Sequence, residues 1–177
     1  MIEEIKKYDT SFNEATFISK VDRILMMTLD AIMQKDVKIV DHYASDNVCN
    51  SLNALITEYK NKNIIRLFDE SNVKSTKITG YDIKDDNIYI YVDLVSRYMD
   101  YFIDDNGNYI SGINDHRVEK LNKLVFVKNL NAKKRGIVTK CPSCGNSLNA
   151  NVSGLCSYCH QIIDMYKYEY ILCNINL

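Results

Sequence analysis

Hydrophobic positions along the chain follow two periods, one after the other. From Phe17 to Ile32 the apolar residues Phe17, Val21, Ile24, Leu25, Leu29 and Ile32, joined by Thr28, recur at three-four spacing. That spacing places them on one face of a helix. Met26, Met27 and Met33 widen the stripe. Ser11-Phe12-Asn13-Glu14 reads as a capping box, with Ser11 as N-cap and Glu14 at the third helical position. A long core-facing helix is therefore predicted to run to about Lys35. Asp36 can cap a short second helix carrying Val37, Ile39, Val40 and Tyr43. Ser45 or Asp46 can cap a third, with Val48, Leu52, Leu55, Ile56 and Tyr59 on its apolar face and its end between Lys60 and Asn63. The stretch Ile64 to Phe68 fits either a turn or an edge strand.

After Ser71 the period becomes two. Val73, Ser75, Lys77 and Thr79 alternate with Lys74, Thr76, Ile78 and Gly80, and Asp85-Asp86-Asn87 supplies a turn. Ile88 to Ile103 is a long β-branched and aromatic run whose length calls for twist or bending. Asp104-Asp105-Asn106-Gly107 contains an Asn-Gly hairpin signal. Tyr109 to Ser111 returns, Gly112 to Asp115 is expected to break the strand, and Val118 to Asn129 forms another. A last strand is expected over Tyr166 to Cys173. Helices followed by an antiparallel meander make an α+β chain. A long helix lying across a curved sheet would form a cone open at one end. The expected organisation is a helix-backed curved-sheet domain over residues 1–132. Residues 133–177 then hold a basic connector, a cysteine module at 141–163 and the final strand.

Four cysteines change the picture more than composition does. Cys141, Cys144, Cys156 and Cys159 read C-x2-C-x11-C-x2-C within CPSCGNSLNANVSGLCSYCHQ. Each C-x2-C pair can aim two thiolates at one centre, and two pairs complete a closed tetrahedral zinc site. A closed site leaves no position for substrate, so one structural zinc per chain is expected. Such a ribbon is too short to bury a core, and metal binding supplies its folding free energy. A redox centre is the alternative use of four thiols. His160 could stand in for Cys159, although a complete four-cysteine set makes that unnecessary. Cys49 and Cys173 are isolated and read as small buried apolar residues.

Charge adds a smaller point. The 177 residues carry a formal net charge of −1, which favours no global attraction to nucleic acid. Yet Arg117 to Lys140 holds eight basic residues against Glu119 alone, a local charge of +7. Tyr81 to Asn106 holds seven aspartates against Lys84 and Arg97. These stretches read either as a solvated hairpin and linker or as a basic surface for anionic lipid or an acidic partner. No apolar run reaches the roughly 18 residues needed to span a bilayer. The N-terminal residues lack a signal-peptide core. The expected location is cytoplasmic, with peripheral membrane contact left open.

No catalytic constellation stands out. His42 reads as a packed or surface residue, and His116 beside Asp115 as a conceivable dyad. Asp93, Arg97 and Asp100 with Tyr91, Tyr98 and Tyr101 could line a sheet pocket that binds a polar ligand or moves a proton. The plainer reading is surface cross-strand pairs with wet tyrosine hydroxyls.

The order of these pieces resembles a known family. It is similar to the C-terminal domain of the mitochondrial inner-membrane translocase subunit of forty-four kilodaltons, and to bacterial relatives carrying a zinc ribbon. The stretches concerned are Phe17-Ile18, Asp36, Tyr43, Ser45-Asp46 and Asn63-Ile64. They continue with Met99 to Asp104 through Gly107 to Ile110-Ser111-Gly112, then Glu119 and Leu124-Val125-Phe126-Val127-Lys128, and close with the cysteine module. The chain departs from the family pattern in having no tryptophan. The resemblance implies a fold similar to nuclear transport factor two and a non-catalytic role linked to protein translocation or membrane-associated assembly. The preferred expectation is a binding and scaffold protein with a protein or peptide partner. A small-molecule-binding or enzymatic cone and a nucleic-acid-binding ribbon remain alternatives.

Overall fold

A computed structural model describes residues 1–131, 141, 144–147, 156, 158–159 and 169–176. Helices come first: α1 (Ile2–Tyr8), α2 (Glu14–Met33) and α3 (Asp46–Asn61), with two 3-10 turns, Val37–Ile39 and Asp41–Tyr43, between the last two. Four strands follow: β1 (Ile64–Lys84), β2 (Asn87–Asp104), β3 (Tyr109–Asn129) and β4 (Ile171–Asn176). They form one sheet in the order β1-β2-β3-β4, every neighbouring pair antiparallel. The chain is α+β, as its two periods predict.

The helical stripe behaves as expected. Phe17, Val21, Ile24, Leu25, Thr28, Leu29, Ala31 and Ile32 are all buried on α2. The Thr28 hydroxyl donates to the Ile24 carbonyl at 2.8 Å, which satisfies it inside the core. The cap differs from the prediction. Asn13, not Ser11, is the N-cap, and its side chain accepts from the Thr16 amide at 2.9 Å. Ser11 is drawn away by Asp9, whose carboxylate accepts from both the Ser11 hydroxyl and the Ser11 amide. Asp36 caps only a 3-10 turn, accepting from the Lys38 amide. Ser45 caps α3, and Val48, Leu52, Ile56 and Tyr59 are its buried residues. The sequence pattern gave no sign of α1, which buries one residue completely, Ile5.

Alternation along β2 sets the two faces of the sheet. Ile88, Ile90, Val92, Leu94, Ser96 and Tyr98 are buried against the helices, while Tyr91 between them is exposed. Ser96 and Asn122 satisfy each other there, the Asn122 amide donating to the Ser96 hydroxyl at 2.8 Å. Ile64 to Phe68 is the start of β1 rather than a turn, and pairs with the far end of β2 from Asp104 to Asp100.

The predicted break at Gly112 to Asp115 is instead a bulge within a continuous β3. Tyr98 pairs with Val118 but Asp100 pairs with Ile113, so Asn114, Asp115, His116 and Arg117 have no partners on β2. On the opposite side of β2, β1 carries a second irregularity between Asp69 and Asn72, where Glu70 has φ 53°. Extra residues on both flanks of one strand bend the sheet at that level. Arg117 and Glu70 approach to 3.6 Å across the bend. Gly112 makes the return possible. With φ +106°, it would place an added Cβ 2.5 Å from the Tyr101 Cα and closer still to the Asp100 carbonyl oxygen. Both neighbours are backbone and cannot step aside. Gly112→Ala is expected to cost about 2 kcal/mol or more in chemical denaturation. A change under about 0.5 kcal/mol, the size of an ordinary surface substitution, would contradict this.

β4 joins the far side of β3 from Lys123 to Val127, and the Ser45 amide donates to the Leu172 carbonyl. Residues 166–168 of the predicted last strand lie outside the described residues.

Candidate functional site

The cysteine centre is built from short backbone turns. After Cys144 the chain reverses at Gly145, whose φ of +76° is costly for any residue with a Cβ. The Gly145 amide donates to the Cys141 carbonyl at 2.9 Å, and the Cys141 amide to the Asn146 carbonyl at 2.7 Å. This turn brings the first two sulfurs to one side.

The Sγ atoms of Cys141, Cys144, Cys156 and Cys159 all lie within 4.8 Å of one another. Cys141 to Cys159 and Cys144 to Cys156 are each 3.6 Å apart. That is far beyond the roughly 2.05 Å of a disulfide. It is close to the spacing of about 3.8 Å that a tetrahedron with zinc–sulfur bonds near 2.3 Å imposes. Cys141 and Cys156 are fully buried, and Cys144 and Cys159 are exposed. A hydrogen bond from the Cys159 backbone holds the Cys156 thiol below its ordinary pKa, toward the thiolate that a metal binds. The four residues singled out by spacing are thus together, and they fit one zinc ion. His160 and the connector over 132–140 lie outside the described residues. Cys49 and Cys173 are half-buried, and burial pushes the Cys173 thiol up to about 11.

The polar sheet residues do not form one site. Tyr98 and Asp100 face the helices, whereas Tyr91, Asp93, Arg97 and Tyr101 alternate onto the opposite face. Tyr91, Tyr101, Arg97 and Asp100 have local partners. The Tyr91 hydroxyl donates to Asp82, the Tyr101 hydroxyl to Asp69, and Arg97 to Glu119, which also accepts from Lys74. Asp100 is held by Arg66 through two 2.8 Å hydrogen bonds. Sequence reasoning did not single out Arg66. Its guanidinium lies 4.7 Å from the Phe68 ring centre and 5.7 Å from that of Phe102. Burial works against its charge, but the Asp100 carboxylate outweighs that and raises its pKa. The result is a half-buried, saturated clamp at the curled end of the sheet rather than a titrating group.

Beside the clamp is an open hollow of about 440 Å³, lined by Asp100, Phe102, Gly112, Ile113, Val118, Glu119 and Lys120. His116 Nδ1 lies 2.6 Å from the Asp115 carboxylate, and both are exposed on the bulge. His42 lies 3.2 Å from Asp41 at the surface end of a 3-10 turn. Neither histidine meets a nucleophile or a second base among the described residues, so no acid/base set converges there.

A second polar cluster, also unforeseen, is structural. Asp9 is buried, accepts from Lys128 Nζ at 2.6 Å and from the Tyr170 hydroxyl at 3.1 Å, and binds Ser11. Lys20 pairs with Glu169 nearby. These contacts fasten the linker before α2 to β3 and to the residues that lead into β4.

The family model described as Tim44-like domain matches residues 1–136. The chain belongs to the Tim44-like domain family. No curated protein matches the chain. The Tim44-like match spans α1 to β3 and stops before Cys141, so the cysteine centre and β4 lie beyond it. Among the described residues of this Tim44-like chain, no helix is long and apolar enough to cross a membrane.

Proposed function

We propose that the protein is a non-catalytic scaffold that binds a protein or peptide partner in translocation or membrane-associated assembly. Membership of the Tim44-like family carries this reading. The pairing of the sheet's polar residues with one another supports it, since a catalytic pocket needs groups left available for substrate. Cys141, Cys144, Cys156 and Cys159 are proposed to hold one zinc, which closes the ribbon and takes no part in chemistry. The ribbon is proposed to form one unit with its basic connector, beside the domain over residues 1–132.

Capture from native lysate with crosslinking and mass spectrometry tests the scaffold role. A translocation, chaperone or membrane-assembly protein crosslinked to the curved sheet is the expected result. A co-purifying small molecule in the hollow, with no specific protein, would shift the reading to a ligand-binding cone. The hollow is the one observation that favours that alternative. Its carboxylates are already committed, Asp100 to Arg66 and Glu119 to Lys74 and Arg97, which weighs against it.

The basic stretch from Arg117 to Lys140 is proposed to contact an anionic membrane surface. Cosedimentation with vesicles containing phosphatidylserine should then fall as salt rises from 50 mM to 500 mM, because exposed charges are screened. Vesicles of phosphatidylcholine alone should not bind. Equal binding to both would remove the membrane contact and leave the scaffold reading intact. Nucleic acid is the disfavoured partner, and a flat anisotropy titration with mixed single and double strands at low salt is expected.

A further inference from the structure

β3 has two edges, and among the described residues one of them is paired over only part of its length. Along one side it pairs with β2 over nearly its whole length. Along the other it pairs with β4 from Lys123 to Val127, and among the described residues no strand continues past that point. We infer that the edge of β3 from Val118 to Asn122 receives an extended acidic segment of a partner protein, added to the sheet as a short strand in line with β4. The inference rests on the scaffold reading and names where the partner sits.

Three observations carry it. First, the edge is continuous with an interface already in use. β4 occupies the same edge immediately beyond, ending its pairing with Asn176 opposite Lys123. A strand placed next along the edge meets backbone groups with the spacing that β4 already uses, and strand addition draws its affinity from those main-chain hydrogen bonds. Second, the charge is one-sided. Glu119 is neutralised by Lys74 and Arg97, while Lys120 and Lys123 are exposed and hold no ion pair among the described residues. Arg117, at the end of the stretch, is already paired with Glu70, so the two lysines carry the free charge. Acidic side chains are therefore the complement, and basic ones are repelled.

Third, the edge runs into a built recess. Beyond Val118 the bulge at Asn114 to Arg117 turns the strand aside, and the hollow of about 440 Å³ opens there. Phe102, Ile113 and Val118 form its apolar wall, and Lys120 stands at its rim. Side chains of an added strand alternate between faces. One that points toward the hollow would be apolar, and its neighbours would carry the carboxylates. Lys123 lies on the opposite face, where those carboxylates point. The preferred segment thus alternates acidic and apolar residues.

Fluorescence anisotropy with the full chain and labelled short peptides of alternating aspartate and valine tests this. Lysine-valine and serine-valine peptides, and an aspartate-valine peptide N-methylated at alternate amides, are the comparisons. The acidic peptide should bind, and the lysine peptide should not. N-methylation should abolish binding. Lys120→Glu with Lys123→Glu should weaken it about tenfold or more. Hydrogen exchange of the amides from Val118 to Asn122 should slow when the acidic peptide is added. If the double variant fails to fold, the N-methylated peptide against the unaltered chain decides alone.

Four results would overturn the inference: no binding, equal binding of acidic and basic peptides, slowed exchange elsewhere only, or an edge already protected without peptide. Concentration-dependent dimerisation that protects the same edge would assign it to a second copy instead, and would also overturn it. A partner captured from lysate and crosslinked elsewhere, with no peptide binding here, would refute this edge while leaving the scaffold role standing.

Discussion

Cys141→Ser or Cys156→Ser is expected to abolish zinc retention and unfold the segment between β3 and β4. Both cysteines are fully buried, and all four sulfurs share one centre. A module this short has little apolar area to bury. Metal binding, about 10–16 kcal/mol in structural zinc peptides, then supplies most of its folding free energy. Losing one thiolate of four opens the site and replaces a strong ligand by a weak one. Elemental analysis should fall from one zinc per chain to none, and protease cleavage within residues 132–168 should become rapid. The sheet should melt only modestly earlier. β4 is still held by Tyr170 on Asp9 and by Glu169 on Lys20, neither of which depends on the metal. Cys49→Ser, remote from the cluster in sequence and outside it, should keep the zinc. A Cys156→Ser protein that retains both zinc and protease resistance would refute the site.

Breaking the Asp9–Lys128 pair should give the largest loss in global stability. The two side chains are 5% and 10% exposed, and their charged atoms are 2.6 Å apart. Removing one partner leaves the other charge buried without its counter-charge, a loss of about 3–5 kcal/mol. Asp9→Asn and Lys128→Met should each show it in urea denaturation. Asp9→Leu combined with Lys128→Met should cost much less than the sum, because the pair's desolvation cost disappears with it. Strict additivity would contradict the coupling.

The same pair predicts a pH dependence. Burial acts to raise the Asp9 pKa, but hydrogen bonds from Lys128, Ser11 and Tyr170, with the Lys128 charge, outweigh it and leave the carboxyl below its ordinary value. A group whose folded pKa is depressed stabilises the fold fully above its unfolded pKa, about 3.9 for aspartate. That contribution is lost as pH falls from there through the folded value. Denaturation midpoints should therefore drop below about pH 4 in the unaltered chain, and drop less in Asp9→Asn.

The parts of the fold visible in the sequence are those set by local period and spacing. The α2 stripe from Phe17 to Ile32 needs nothing beyond 3.6-residue geometry, and the alternation from Ile88 to Tyr98 nothing beyond the pleat. The four cysteines were readable because metal geometry fixes their spacing. What escaped depends on partners distant in the chain. Ser11 has the residue type and position of an N-cap, yet Asp9 holds it because Lys128 and Tyr170 hold Asp9. Gly112 to Asp115 has the composition of a break. β2 nevertheless supplies partners on both sides of it, and four residues are accommodated as a bulge. Arg66 drew no attention because its partner, Asp100, is a strand away. The six polar residues that could have lined one pocket belong to two faces, a consequence of the period of two that the sequence itself displays.

Crosslinking of the full chain in native lysate, with mass spectrometric mapping of the joined residues, tests the scaffold role most directly. A specific protein of translocation, chaperone or membrane-assembly type, joined through the sheet near Lys120 and Lys123, is the expected result. A small molecule recovered from the hollow beside Phe102 and Val118, turned over by the protein and with no specific protein attached, would contradict it.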